Sequence, residues 1–400
     1  MPDFKKLTFK IASLSLLAGL KEDEGVKALA GLCELPKLKK AAVLWGKYYR
    51  ALCEKGCEND TMEYFKRLIC THENEYSRRV AAGKDAKAIE FRMTREIAVF
   101  NELAEIKPED FVDEYDVAVA ELPDWRVGLG KPLNIHKLKD EILSRGYGVF
   151  AESVAYFYDE RTGELRAIKN LDPIKLGDLK LYDDCKETVV QNTLDFIDGL
   201  PANNVLLYGD RGTGKSSTVH AVLNEYAGRG LRLVEIQKSA ISDFGKILGK
   251  IENLKCFHFI IFIDDLSFAD GTDDFARLKA ALEGSAHALE NVLIYATSNR
   301  RHLVRERYES GDEISVNDTV QEQMSLSDRF GIIVSFFSPD RKEFIKILEG
   351  ILSDRGITLP KEQLALEAER YALRKGGRSG RAARQLADII ESRLRRESGK

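Results

Sequence analysis

The segment GDRGTGKSS, Gly209 to Ser217, directly follows the apolar run Val205–Tyr208 and directly precedes the helical stretch TVHAVLNEY. It fits G-x-x-x-x-G-K-[ST], with Gly209, Gly214, Lys215 and Ser216 in the fixed places. The glycines let backbone amides turn inward around phosphate oxygens without a side chain intruding. Lys215 then neutralises β and γ oxygens, the amino end of the following helix adds its dipole, and Ser216 ligates Mg²⁺. The intervening Asp210, Arg211, Gly212 and Thr213, with Ser217, complete the nucleotide-binding candidates.

Four more apolar runs recur at helix-sized intervals: LRLVEI at 231–236, FIIFI at 259–263, VLIYAT at 292–297 and IIVSFF at 332–337. Runs this apolar indicate strands buried on both faces of a five-stranded parallel sheet. Ser338 and Pro339 then cap a helical tail. Upstream, residues 5–121 are rich in Ala, Leu, Lys and Glu at helical spacing, and the aromatic alternation of 147–169 reads as a β-hairpin linking two domains. A chain of 400 residues is too long for one ordinary core. The expected division is a helical domain at 1–130, a linker with the hairpin at 131–175, a core at 176–337 and a helical lid at 338–400.

FIIFIDDLSF ends a buried strand in Asp264 and Asp265, where ligands of such sheets bind. Two acids there need a cation. Asp264 is read as the metal-side acid and Asp265 as the residue orienting the attacking water. Asn299, after VLIYATS, both donates and accepts, which suits it to a lytic water or a γ-phosphate. Arg329 stands just before the last strand, and Arg378, Arg381 and Arg384 follow at three-residue spacing in the tail, a face for phosphate or solvent.

In this order the motifs resemble the AAA+ ATPases, and GDRGTGKSS, DDLSF, YATSNRRHL and SLSDRFG together resemble a bacterial AAA+ family labelled a domain of unknown function. The resemblance covers Asp172 to Leu386 and implies a three-layer αβα core with a helical lid, binding ATP with Mg²⁺. It implies Lys215 and Ser216 for nucleotide and metal, Asn299 as first sensor, Arg381 as second sensor, Arg329 as an arginine finger, and Leu181 and Tyr182 flanking the adenine. It further implies a homo-oligomer, a ring of six, that hydrolyses ATP to remodel a protein or nucleoprotein target the sequence does not identify. Two features depart from the pattern. Most AAA+ proteins have Glu where this chain has Asp265, and the segment after LRLVEI lacks the aromatic-apolar-Gly pore motif of protein-threading members. A nucleotide-gated binding module with little turnover and a DNA-associated ATPase resembling a helicase loader therefore stay open beside the remodelling reading.

The net charge of -4 gives no global attraction to nucleic acid or anionic membrane, although residues 370–400 are locally basic. Six cysteines over this length do not make a disulfide framework, and Cys53, Cys57, Cys70 and His72 match no standard zinc spacing. Lys5, Lys6 and Lys10 precede the apolar Ile11–Leu20, but no small-residue cleavage site follows, so the stretch reads as an amphipathic helix. No run reaches membrane-span length, and the expected location is the cytoplasm, with no membrane partner.

Overall fold

A computed structural model describes residues 2–115, 121–128, 130–266, 278, 290–299 and 330–397. The chain forms two compact units, one of residues 1–153 with Asn253–Cys256, the other of Val154–Glu252 with Phe257–Lys400.

The first unit is helical. Its described helices are α1 (Phe4–Ala12), α2 (Glu24–Cys33), α3 (Leu38–Glu54), α4 (Thr61–Thr71), α5 (Glu75–Ala81), α6 (Lys87–Ala104), the single turn α7 (Val112–Tyr115) and α8 (Ile135–Arg145). Short polar side chains set where several begin: Asp23, Asp60, Asn74 and Asn134 each accept a first-turn amide. The core is aromatic, with Trp125 tilted against Trp45 at 4.6 Å between ring centroids and edge-on to Tyr48 at 4.9 Å. Both indole N–H groups are satisfied, Trp45 by the Pro123 carbonyl and Trp125 by that of Ile106. A buried carboxylate, Glu96, accepts from the Ser15 and Leu17 amides and from Arg92, which resolves its charge.

The second unit is built on one sheet of seven strands in the order β2-β1-β4-β5-β6-β3-β7. They are β1 (Ala155–Asp159), β2 (Glu164–Ala167), β3 (Val205–Gly209), β4 (Leu231–Ile236), β5 (His258–Ile263), β6 (Val292–Ser298) and β7 (Ile332–Phe336). The five apolar runs are the parallel strands β3 to β7, so the expectation of five is corrected to seven. The hairpin supplies the other two. β1 pairs parallel with β4, Ala155 opposite Leu233, and β2 turns back antiparallel against β1. The physical reason is burial: Tyr156 and Tyr158 are fully covered and extend the sheet past β4, which would otherwise be an exposed apolar edge.

Helices α9 (Asp183–Ile197), α10 (Lys215–Tyr226) and α11 (Phe244–Ile251) flank the sheet. Its core gathers Val205, Leu207, Val219, Val222, Leu233, Ile260 and Phe262. Three further helices, α12 (Arg341–Asp354), α13 (Lys361–Lys375) and α14 (Gly380–Glu397), enclose a separate cluster around Phe344, Leu348, Tyr371 and Leu386 and form a lid. Successive strands β4, β5 and β6 lie side by side, whereas β3 sits between β6 and β7. The direction of winding therefore reverses at β3, and a crevice opens at its carboxyl end.

At that end Gly209 has φ +135°, and a Cβ there would stand 2.0 Å from the Phe336 carbonyl oxygen. Gly46, by contrast, lies inside α3 with nothing within 4 Å of an added Cβ. Gly209→Ala is expected to lower stability by about 2 kcal/mol or more, while Gly46→Ala should raise it by about 0.5–1 kcal/mol. Thermal melts of the two variants check this, and a Gly209→Ala protein that melts like the parent would refute the close approach of loop and strand.

Candidate nucleotide site

The phosphate loop connects β3 to α10, and two glycines give it its shape: Gly212 at φ +77° and Gly214 at φ +105°, both left-handed. Lys215, the first residue of α10, is only 7% exposed. Its ammonium donates to the Gly209 carbonyl at 2.8 Å, the Asp210 carbonyl at 2.7 Å and Asn299 Oδ1 at 3.1 Å. Burial pushes the Lys215 pKa down, and the carboxylates of Asp210, Asp264 and Asp265 oppose that shift. These acceptors keep the charge in place.

Ser216 Oγ donates to Asp264 Oδ1 at 2.7 Å. Thr297 Oγ1 donates to the same oxygen and accepts the Asp265 amide at 2.9 Å. Asn299 Nδ2 donates to Asp265 Oδ1, so one side-chain amide bridges Lys215 and Asp265. Asp265 itself is left-handed, with φ +52°. A hydroxyl and a carboxylate side by side are hard oxygen ligands of the kind Mg²⁺ takes beside phosphate oxygens. Ser216 and Asp264 fit that ion.

Together these groups floor a cavity of about 550 Å³, within the usual range for a small-molecule site. Residues 178–182 form one wall and the lid another, through Ile347 and Ile351 of α12 and Arg381 and Arg384 of α14. Leu181 (φ +133°) and Tyr182 (φ +63°) are consecutive left-handed residues. Tyr182 is held by its hydroxyl, which donates to the Phe337 carbonyl, and by its ring, 5.0 Å from that of Phe336. Burial pushes its phenol up to about 12.

The cavity thus brings together Leu181, Tyr182, Arg211 to Ser217, Asp264, Asp265, Asn299 and Arg381. Gly209 and Asp210 stand behind it, Gly209 holding Lys215 and Asp210 bonded both to Lys215 and to Ser338. Arg329 lies outside the described residues. Arg378 reaches Glu369 of α13 instead of the cavity. Sequence reasoning missed Thr297 as the link between the two acids, and Ile347 and Ile351 as an apolar wall. Their four-residue spacing is a helix stripe like any other lid core position. Among the described residues no cluster of three or more His, Cys, Asp or Glu side chains is arranged to hold a metal, and no helix is long and apolar enough to cross a membrane.

Residues 151–394 match the family described as Protein of unknown function (DUF815), and the chain belongs to that family. The replication factor C large subunit of Staphylothermus marinus is 31% identical over 125 residues, which is 30% of this chain and 28% of that protein. Among solved structures, the Thermotoga maritima RuvB Holliday junction branch migration motor is 18% identical with a TM-score of 0.40, over 56% of this chain and 65% of that one. C. elegans PCH-2 is 18% identical with a TM-score of 0.37, over 54% and 64%. The chain spans under two thirds of each of these relatives. In its motifs the α/β unit is similar to AAA+ P-loop proteins.

Two substitutions separate the parts of the cavity. Lys215→Ala should weaken ATP binding at least 100-fold, because the phosphate charges lose their buried partner, whereas Ile351→Glu should act on the apolar wall and leave inorganic triphosphate binding unchanged. Calorimetric titration with ATP and with triphosphate distinguishes them, and parental ATP affinity in Lys215→Ala would remove the phosphate-loop assignment.

Proposed function

We propose that this member of the family binds ATP with Mg²⁺ and hydrolyses it to ADP and phosphate, using the cycle to move the lid and remodel a macromolecular target. One observation carries the reading: the Asn299 amide ties the phosphate-binding ammonium of Lys215 to the carboxylate of Asp265. A chain that only held nucleotide would have no need to register a water-activating acid against the phosphate site. Ser216 and Asp264 would hold Mg²⁺, which draws charge from the phosphoryl oxygens when bound. Asp265 orients and deprotonates the attacking water, Asn299 fixes its distance from the γ-phosphate, and Arg381 and Arg384 bring positive charge from the lid.

The unit that acts is a homo-oligomer, a ring of six, in which Arg329 completes a neighbour's site. The target is a protein, recruited by the helical unit. The DNA-associated reading is supported by the names of two relatives but has less support in the tail, where Arg393 pairs with Glu367 at 2.8 Å and Arg355 with Asp388 at 2.7 Å and Glu391 at 2.9 Å. Part of the lid's positive charge is thereby paired within the lid.

Asp265→Asn is expected to keep ATP bound while lowering its turnover about 10²-fold or more, and Asp264→Asn to impair Mg²⁺ dependence itself. Single-turnover hydrolysis across a Mg²⁺ titration reads both, and parental turnover in Asp265→Asn makes that residue structural. Arg329→Ala should leave ATP affinity intact while lowering turnover about 10³-fold. Mixing it with Lys215→Ala subunits should restore part of the activity. Proven co-assembly without recovery would sink the shared site.

A further inference from the structure

Asp210 lies in the phosphate loop, yet its carboxylate is directed at the start of the lid. Gly209 is in parallel register with Phe336, so the next rung would pair Asp210 with Phe337. In a parallel ladder such a residue gives its N–H to the carbonyl one position back on the neighbour and its C=O to the amide one position forward. The Asp210 amide does donate to the Phe336 carbonyl, at 2.9 Å. The Asp210 carbonyl is unable to complete the rung, because it has turned inward to accept Lys215 Nζ at 2.7 Å and Thr213 Oγ1 at 2.8 Å. The side chain takes its place: Asp210 Oδ2 accepts the Ser338 amide at 2.7 Å.

Ser338 is also where the sheet ends and the lid begins, since β7 stops at Phe336 and α12 starts at Arg341, capped by Asp340. The lid is held to the same loop at its other end, where the Arg381 amide at the start of α14 donates to the Gly212 carbonyl at 3.1 Å. We propose that Asp210 is a positioning residue that clamps the lid hinge to the phosphate loop, so that the loop's shape around Lys215 sets the angle and the release of the lid.

The proposal rests on the cavity being a nucleotide site only for its effect on release; the clamp itself is a feature of the protein alone. It follows that Asn, which keeps a side-chain oxygen at the same reach, substitutes well, and Ala does not. Hydrogen bonding from Ser338 holds the Asp210 carboxyl below the usual carboxylate range.

The test uses the full chain. Amide hydrogen exchange across residues 337–345, without nucleotide, should speed up about tenfold or more in Asp210→Ala and stay near parental in Asp210→Asn. Release of a fluorescent N-methylanthraniloyl ADP, followed by stopped flow, should accelerate about tenfold in Asp210→Ala and be rescued by Asn. Ser338→Pro removes the donor while leaving Asp210 in place, and it should reproduce the fast release if Asp210→Ala fails to fold. Parental exchange and release in Asp210→Ala, or parental release in Ser338→Pro, overturns the clamp. If the parent does not bind the labelled ADP, the nucleotide reading fails and the hinge exchange alone decides the clamp.

Discussion

A buried ammonium has to be surrounded by acceptors, and the way Lys215 meets that requirement organises the α/β unit. Its three acceptors come from two elements: the Gly209 and Asp210 carbonyls of the loop and the Asn299 side chain after β6. For both carbonyls to point inward, the chain must turn sharply where β3 ends. Only glycine serves at 209, given its φ of +135° and its contact with Phe336. Once Asn299 is fixed by Lys215, its amide nitrogen is left facing Asp265, and Thr297 secures Asp264 from the same strand. One cation thus registers the ends of β3, β5 and β6 against each other.

The parts of this arrangement that local chemistry dictates were legible in the sequence. The loop motif, the acid pair at the end of an isoleucine-rich strand and the amide at Asn299 all mark strand ends, because a strand buried on both faces has polar residues only where it emerges. The five parallel strands were legible for the same reason. What escaped were partnerships between distant segments. The alternation in AYFYD indicates a strand, but nothing in it indicates that β4 will be the partner rather than only β2. Ile347 and Ile351 look like lid core, and both do pack in or against that core as well as facing the cavity. The Asp210–Ser338 bond spans 128 residues and has no local signature.

Asp265 carries an acid one methylene shorter than glutamate, so its carboxylate reaches less far from the strand, and its backbone stands in the left-handed region at φ +52°. Such a conformation costs about 1 kcal/mol or more in a non-glycine residue and persists only where the surroundings over-determine it. Here they do: the Asp265 amide is held by Thr297, its carboxylate by Asn299, and the next amide, Leu266, by the Thr297 carbonyl at 2.7 Å.

Among the described residues, the non-glycine positions with positive φ are Leu35, Leu181, Tyr182 and Asp265, and the last three all line the one cavity. Leu181 packs against the lid cluster while Tyr182 packs against the sheet cluster, so this strained pair sits where lid and sheet meet. Lys180, the residue before it, pairs with Asp354 at the end of α12 at 2.6 Å. Each of these two left-handed residues costs about 1 kcal/mol or more and persists only where its surroundings hold it. The tethers at Ser338, Arg381 and Asp354 supply those surroundings, joining the lid to the phosphate loop and to the segment before α9.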